Sequence, residues 1–336
     1  MNSLKKDPQN IFKRIVGTVI IPIVVFALLN ILCRMRGETL FAVTDNFRVF
    51  LRTTAVVLCV TFALWINLNS GRFDFSLGSV ATFSALISAS VSISNGLSPF
   101  AMMLISIGMG TVCGLLTGLV YIFTNLPPIL VSLGMTLLYE GLGFTYTEGK
   151  NVSFGTVSTL LGFNTISHLL IIIVLVLAVI VVLFGYTSFG KNHSALISGQ
   201  KIAVNTGIKE KPIAVICYVI TGALMGIVGF LNAIENPIVE VKLNFASVGT
   251  MFLGFLPLYI AGFIGKFSGD KLGCVIGAAV LALVKLSYTK LEVDPSMQSI
   301  IEAVILVLFV IYISNEEKFA NIFIPKAFRK KAKAGS

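Results

Sequence analysis

Runs of about twenty consecutive apolar residues recur along almost the whole chain, and they leave little choice of fold. A helix rising about 1.5 Å per residue needs roughly 20 residues to cross ~30 Å of hydrocarbon. No water reaches backbone N–H and C=O groups inside lipid, so a spanning chain is either helical or a closed barrel. Barrel strands would show segments of roughly ten residues with alternating polarity, whereas the runs here are longer and continuous. About ten occur, over residues 15–33, 49–68, 74–93, 97–124, 128–147, 167–186, 213–235, 248–265, 271–290 and 298–314. The third and eighth are the weakest, being rich in Ser or Gly. The expected fold is all-α: a polytopic membrane helical bundle over residues 15–314, with basic tails at 1–14 and 315–336.

Composition excludes the soluble alternative. Hydrophobic residues make up 56% of the chain and charged residues 12%, against about 25% charged in ordinary soluble domains. So little charge cannot cover that much apolar surface in water, while a lipid bilayer can. The net charge of +10 does not point to nucleic acid, because of where the basic residues lie. Lys5, Lys6, Lys13 and Arg14 precede the first run, and Lys326, Arg329, Lys330, Lys331 and Lys333 follow the last.

Basic residues beside spans mark the cytoplasmic side. With both termini inside, the inside loops hold Arg72, then Lys191, Lys201, Lys209 and Lys211, then Lys266 and Lys271. Outside fall Glu38, Asp45, Glu148, Glu240, Glu292 and Asp294. Arg34, Arg36, Arg48 and Arg52 run against the rule, yet the balance favours cytoplasmic termini. Residues 15–33 are too long and too apolar for a cleaved signal core, and read as a retained first span.

Enzyme chemistry finds no constellation. The histidines, His168 and His193, are far apart, and Cys33, Cys59, Cys113, Cys217 and Cys274 have no zinc or redox spacing. Neither a metal site nor a cofactor is expected. Gly185–Lys191 (GYTSFGK) has phosphate-loop spacing, but Asn192 stands where Ser or Thr must hold magnesium, and a membrane span precedes it. Any ATP hydrolysis therefore belongs to another polypeptide.

Ionisable residues within spans are costly and often functional. Asp74, Glu140, Glu235 and Glu302 are the candidates. Asp74 lies in a polar break with Asn69, Ser70 and Ser76, which suggests a broken helix or backbone lining a cavity; Arg72 is its expected ion-pair partner. Glu140 and Glu302 either line a path or are held by hydrogen bonds within the bundle. Gly108, Gly110, Gly114 and Gly118, then Gly222, Gly226 and Gly229, then Gly273 and Gly277, have the spacing of close helix packing. The basic loop 187–212, with helical character at Gln200–Asn205, reads as a simple connection or as a docking element for a soluble partner.

Four blocks in order resemble the permeases of ribose-type sugar ABC importers, a branch related to nucleoside and branched-chain amino acid permeases. They are Asn69–Ser79 (NSGRFDFSLGS), Pro128–Gly141 (PILVSLGMTLLYEG) with Thr147–Gly149, then Thr187–Lys191 with Ala195–Gly199, Ala203 and Thr206–Ile208, and Gly269–Ala278 (GDKLGCVIGA). The resemblance covers about residues 50–315. It implies a cell-membrane permease of a prokaryote, moving a small polar solute such as a monosaccharide. It also implies three partners: a separate ABC ATPase, an extracellular solute-binding protein and a second permease copy, identical or paralogous. By matched position, Gly190, Lys191, Gly199, Ala203 and Gly207 would form the ATPase-coupling loop. Glu140 stands where the family usually has Arg, and Glu302 where Lys is common. The rival reading is an ion-coupled secondary transporter that uses the buried glutamates.

Overall fold

In lipid the backbone must satisfy itself, and the chain does so almost wholly by helix. The structure, a computed structural model, describes residues 8–153, 162–236 and 238–314; the tail 315–336 and the first seven residues lie outside them. The helices are α1 (Pro8–Met35), α2 (Thr44–Asn69), α3 (Leu77–Ser94), α4 (Pro99–Thr124), α5 (Pro128–Tyr146), α6 (Ile166–Tyr186), α7 (Ser188–Asn205), α8 (Glu210–Glu235), α9 (Gly249–Phe252), α10 (Phe255–Ser268), α11 (Asp270–Lys290) and α12 (Pro295–Ser314). Two short strands, β1 (Val152–Ser153) and β2 (Ile238–Val239), pair antiparallel, with Val152 opposite Val239. The chain separates into one unit running to Leu291 and a second from Glu292 that carries α12.

Among the described residues, nine helical segments are long and apolar enough to cross a membrane, counting 249–268 as one. A shorter apolar stretch, Pro295–Leu308, lies in α12. Each apolar run of the sequence thus corresponds to a helix or helix pair. The eighth is divided: α9 and α10 are separate helices, with Leu253 and Gly254 between them. The third begins later than its apolar run, at Leu77, because Asp74 and Ser76 form a polar turn ahead of it.

Local signals set several ends. Ser98 caps α4 by accepting from Ala101 N at 3.3 Å, with Pro99 at the first helical position, where its missing N–H costs nothing. Asn125 closes the same helix in a left-handed conformation. Beyond the spans, α7 is longer than its sequence suggests, filling residues 188–205 with an interruption at Gly199, where the backbone is extended. It ends in a Schellman arrangement. Ile208 N donates to Ala203 O at 3.1 Å, and Gly207 takes φ +94°, which a side chain would resist.

Burial is uneven among the spans. The most apolar segments, α1 and α6, are largely exposed to lipid, while α2, α3, α8 and α11 are buried along most of their length. Lipid tails are as apolar as leucine, so the core is built by close backbone approach rather than by hydrophobic exclusion. A Cβ on Gly110 would meet Gly222 O at 2.2 Å, and one on Gly222 would meet Gly110 O at 2.2 Å. Gly114 packs in the same way on Tyr218 O, and Gly226 on Ser106 O, where Ser106 Oγ also donates to Gly226 O at 2.7 Å. Gly229 meets Ala81 O of α3, while Gly273 and Gly277 meet Ala261 O and Pro257 O of α10. Gly108 faces open space and stands apart from the stripe.

Candidate functional site

The turn between α2 and α3 folds back into the bundle. There the buried Asp74 carboxylate receives Ser76 N at 2.9 Å and Ser76 Oγ at 2.6 Å on one oxygen, and Asn67 Nδ2 at 3.1 Å on the other. Asn67 Nδ2 also lies 3.4 Å from Thr221 Oγ1 on α8. With donors on both oxygens, Asp74 is satisfied without a cation. The expected Arg72–Asp74 pair does not form: the Arg72 guanidinium lies 3.9 Å from Glu210 at the start of α8, since Asn67 and Ser76 already hold the Asp74 carboxylate.

From this turn contacts run to α7. Ser70 Oγ donates to Ile66 O and lies 2.9 Å from His193 Nε2. Trp65, Phe184 and Phe189 surround the buried imidazole, the Phe184 ring centroid at 5.1 Å. Burial first, then the nearby Arg72 charge, lower His193 to about 4, so it is neutral near pH 7. Farther along α7, Gln200 Nε2 donates to Glu210 Oε1 at 2.8 Å.

Within α7, Gly190 and Ala203 are buried, Gly199 is half-buried and Lys191 is exposed, as is Gly207 just beyond the helix. Gly190 packs against the end of α6, where a Cβ would stand 2.5 Å from Leu183 O. The outward side carries Lys201 and the apolar Ile197 and Ile202, the last 72% exposed.

Glu140 is buried on α5, held by hydrogen bonds from a following loop. Its oxygens accept from Phe245 N at 2.9 Å, from Ser247 N at 2.9 Å and from Ser247 Oγ. The carboxylate thus pins a loop whose Asn244 and Phe245 both adopt positive φ, of 57° and 64°. That loop packs onto α3 at Gly78, where a Cβ would fall 1.9 Å from Ser247 O. Glu235 forms an ion pair with the buried Arg52. Glu302 is carried by α12 in the second unit.

Toward the Glu235 end of α8, about 21 Å along the helix from Thr221 at about 1.5 Å per residue, lies a recess of about 540 Å³. Its floor is Ala81 and Ala85 of α3 with Gly229 and Ala233 of α8. Around it stand Thr82, Asn232, Asn236, Glu240, Lys242 and Thr250. None of these was singled out as a site residue from the sequence, although Asn232 and Asn236 carried a signal. Two amides four residues apart mark the polar close of an apolar run, where Asn236 caps α8 one turn beyond Asn232.

The helical bundle agrees with the wider comparison. Residues 47–310 match the permease component of the branched-chain amino acid transport system. The chain belongs to this family. The fructose import permease FruF of Bifidobacterium longum is 25% identical over 358 residues, covering 98% of each chain. The galactose/methyl galactoside import permease MglC of Haemophilus influenzae is 24% identical over 79% of this chain and 85% of its own. The autoinducer 2 import permease LsrC of Photorhabdus luminescens is 23% identical over 85% and 88%. A solved structure described as an inward-facing metal-chelate type ABC transporter superposes with a TM-score of 0.56 at 15% identity, covering 90% of this chain and 99% of its own. At that identity it shows a shared fold. The permease is thus a transport subunit rather than an enzyme, and a multi-pass protein of the bacterial cell membrane.

Proposed function

We propose that this permease forms the membrane path of an ATP-driven importer for a small polar solute, most simply a monosaccharide or a close relative. In this reading α7 and both termini face the cytoplasm, and α7 docks on a separate ATPase. An extracellular binding protein delivers the solute, and a second permease copy, identical or paralogous, completes the path.

The observation that carries the reading is α7 itself. It is a helix beyond the spans, with exposed Ile202 and Lys201 on one side and the buried His193 bonded into the α2–α3 turn on the other. A docking surface joined in this way to the polar turn can pass a partner's motion into the bundle, provided two packings differ by only a few kcal/mol. Ion-coupled transport by buried glutamates is less well supported. The Glu140 oxygens accept from Phe245 and Ser247, and Glu235 is paired with Arg52.

Gentle-detergent purification from the native membrane, with mass spectrometry of what accompanies the chain, tests this reading. A P-loop ATPase is expected, and Ile202→Glu is expected to reduce its recovery at least about tenfold, the effect of losing roughly 1.4 kcal/mol of binding. Uptake that needs no ATPase and collapses with an ion gradient would overturn it.

A further inference from the structure

Most buried charges of this bundle have partners within it, whereas the recess at the Glu235 end of α8 opens outward and is lined by half-buried Asn232 and Lys242 and exposed Asn236 and Glu240. Among the described residues, the side chains of Asn232, Asn236, Glu240 and Lys242 make no hydrogen bond or ion pair, although all four line one concavity. At about 540 Å³ it falls in the ~300–1,000 Å³ range of small-molecule sites. Asn232 lies in the last turn of α8, and Asn236 caps that helix with its N–H donating to Asn232 O at 3.1 Å, so both amides border the recess where the helix ends. An amide offers both a donor pair and an acceptor, and two such groups on one rim suit a ligand bearing several hydroxyls.

Thr82 of α3, whose hydroxyl donates to Gly78 O at 3.1 Å, and Thr250 of α9 add hydroxyl oxygens to the lining. The floor of Ala and Gly leaves space above it, and among the described residues no aromatic ring lines the recess. Glu240 and Lys242, two residues apart, bring opposite charges that cancel at a distance, which gives no net field for an ion.

The geometry points to this recess as the solute-recognition site, and we propose that it takes an uncharged polyhydroxylated solute, with Asn232 and Asn236 as its principal ligands. The proposal rests on the importer reading, and it locates the recognition step away from the Asp74 turn, toward the opposite end of α8. Glu140 then acts as a positioning residue, because the loop it pins runs between Lys242 and Thr250 in one wall of the recess.

The test uses the full chain in its native membrane. All five native cysteines are buried, so a single exposed cysteine reports by its labelling with a membrane-impermeant maleimide. Ile238→Cys places it in the recess lining at a side chain that is 49% exposed; Ser94→Cys, exposed at the far end of α3, is the control. D-fructose, D-galactose and L-leucine are the probes.

A sugar is expected to slow labelling of Ile238→Cys about tenfold when present near ten times its Kd, where about a tenth of sites stay free. Labelling of Ser94→Cys should not change, L-leucine should have no effect, and adding Asn232→Ala should abolish the protection. Protection by L-leucine alone, protection that survives Asn232→Ala, or no protection by any probe overturns the proposal. Recovery of an ATPase and ATP-dependent uptake are measured separately, so failure here leaves the importer reading distinguishable.

Discussion

At the scale of single residues, two buried titratable groups act as structural ties. Glu140 brings a charge into the bundle because two backbone N–H groups and a hydroxyl from the Phe245–Ser247 turn converge on it. Glu140→Gln would set an amide NH2 against donors that need an acceptor. Hydrogen bonds to a charged group contribute about 1.5–3 kcal/mol each. The variant should therefore lose on the order of 2–3 kcal/mol, read as a lower Tm in detergent; an unchanged Tm would mean the clamp contributes little. His193 works in the opposite sense of charge. It is neutral when packed and titrates near 6.5 when released. The docked α7 keeps its full stability above that pH and loses it as the pH falls from 6.5 toward about 4, by about 1.4 kcal/mol per unit at most. Trp65 is the single tryptophan, 6.3 Å from the His193 ring, so its emission should change across that window and stay level above it. His193→Leu should remove the change.

At the scale of elements, the α4–α8 contact depends on which glycines face which backbone. Gly222→Ala puts a Cβ 2.2 Å from Gly110 O with no flexible side chain to yield, so the helices must separate, at a cost of about 1–3 kcal/mol from overpacking. Gly108→Ala meets nothing within 4 Å and should be neutral or slightly stabilising, since alanine is the better helix former. Thermal unfolding of the two variants side by side checks the pair, and equal losses would refute the assignment. The sequence spacing grouped Gly108 with Gly110, Gly114 and Gly118. Periodicity gives a face only to within its own angular width, and the partner helix decides which glycines it touches.

Across the whole molecule, α8 joins the two polar regions. Its start holds Glu210 against Arg72, its middle places Thr221 beside Asn67, and its end carries the recess with Asn232 and Asn236. A rigid helix of this kind transmits displacement between sites about 20 Å apart only if both ends are tied to it. Asn67→Ala removes the link among Asp74, α2 and α8 without opening the glycine contacts. It should leave the protein folded and bound to its ATPase while lowering ATP-driven uptake at least about tenfold, a barrier change of roughly 1.4 kcal/mol. Normal uptake by this variant would show that the Asp74 turn is structural only.

Some of this was written in the linear chain, because the demand behind it is local. Apolar runs long enough to cross lipid must close their own hydrogen bonds, so the helices of 15–33 through 298–314 were legible there. The family was legible too, from blocks such as Asn69–Ser79 and Pro128–Gly141. Partnership was not. Asp74 chose Asn67 and Ser76 over Arg72, Glu140 found its donors 105 and 107 residues away, and Asn232 and Asn236 became neighbours of Lys242 and Thr82 only once α3, α8 and the following loop had packed. Burial makes each polar group seek a partner, and distance along the chain says nothing of which one is in reach; that choice belongs to the tertiary structure alone.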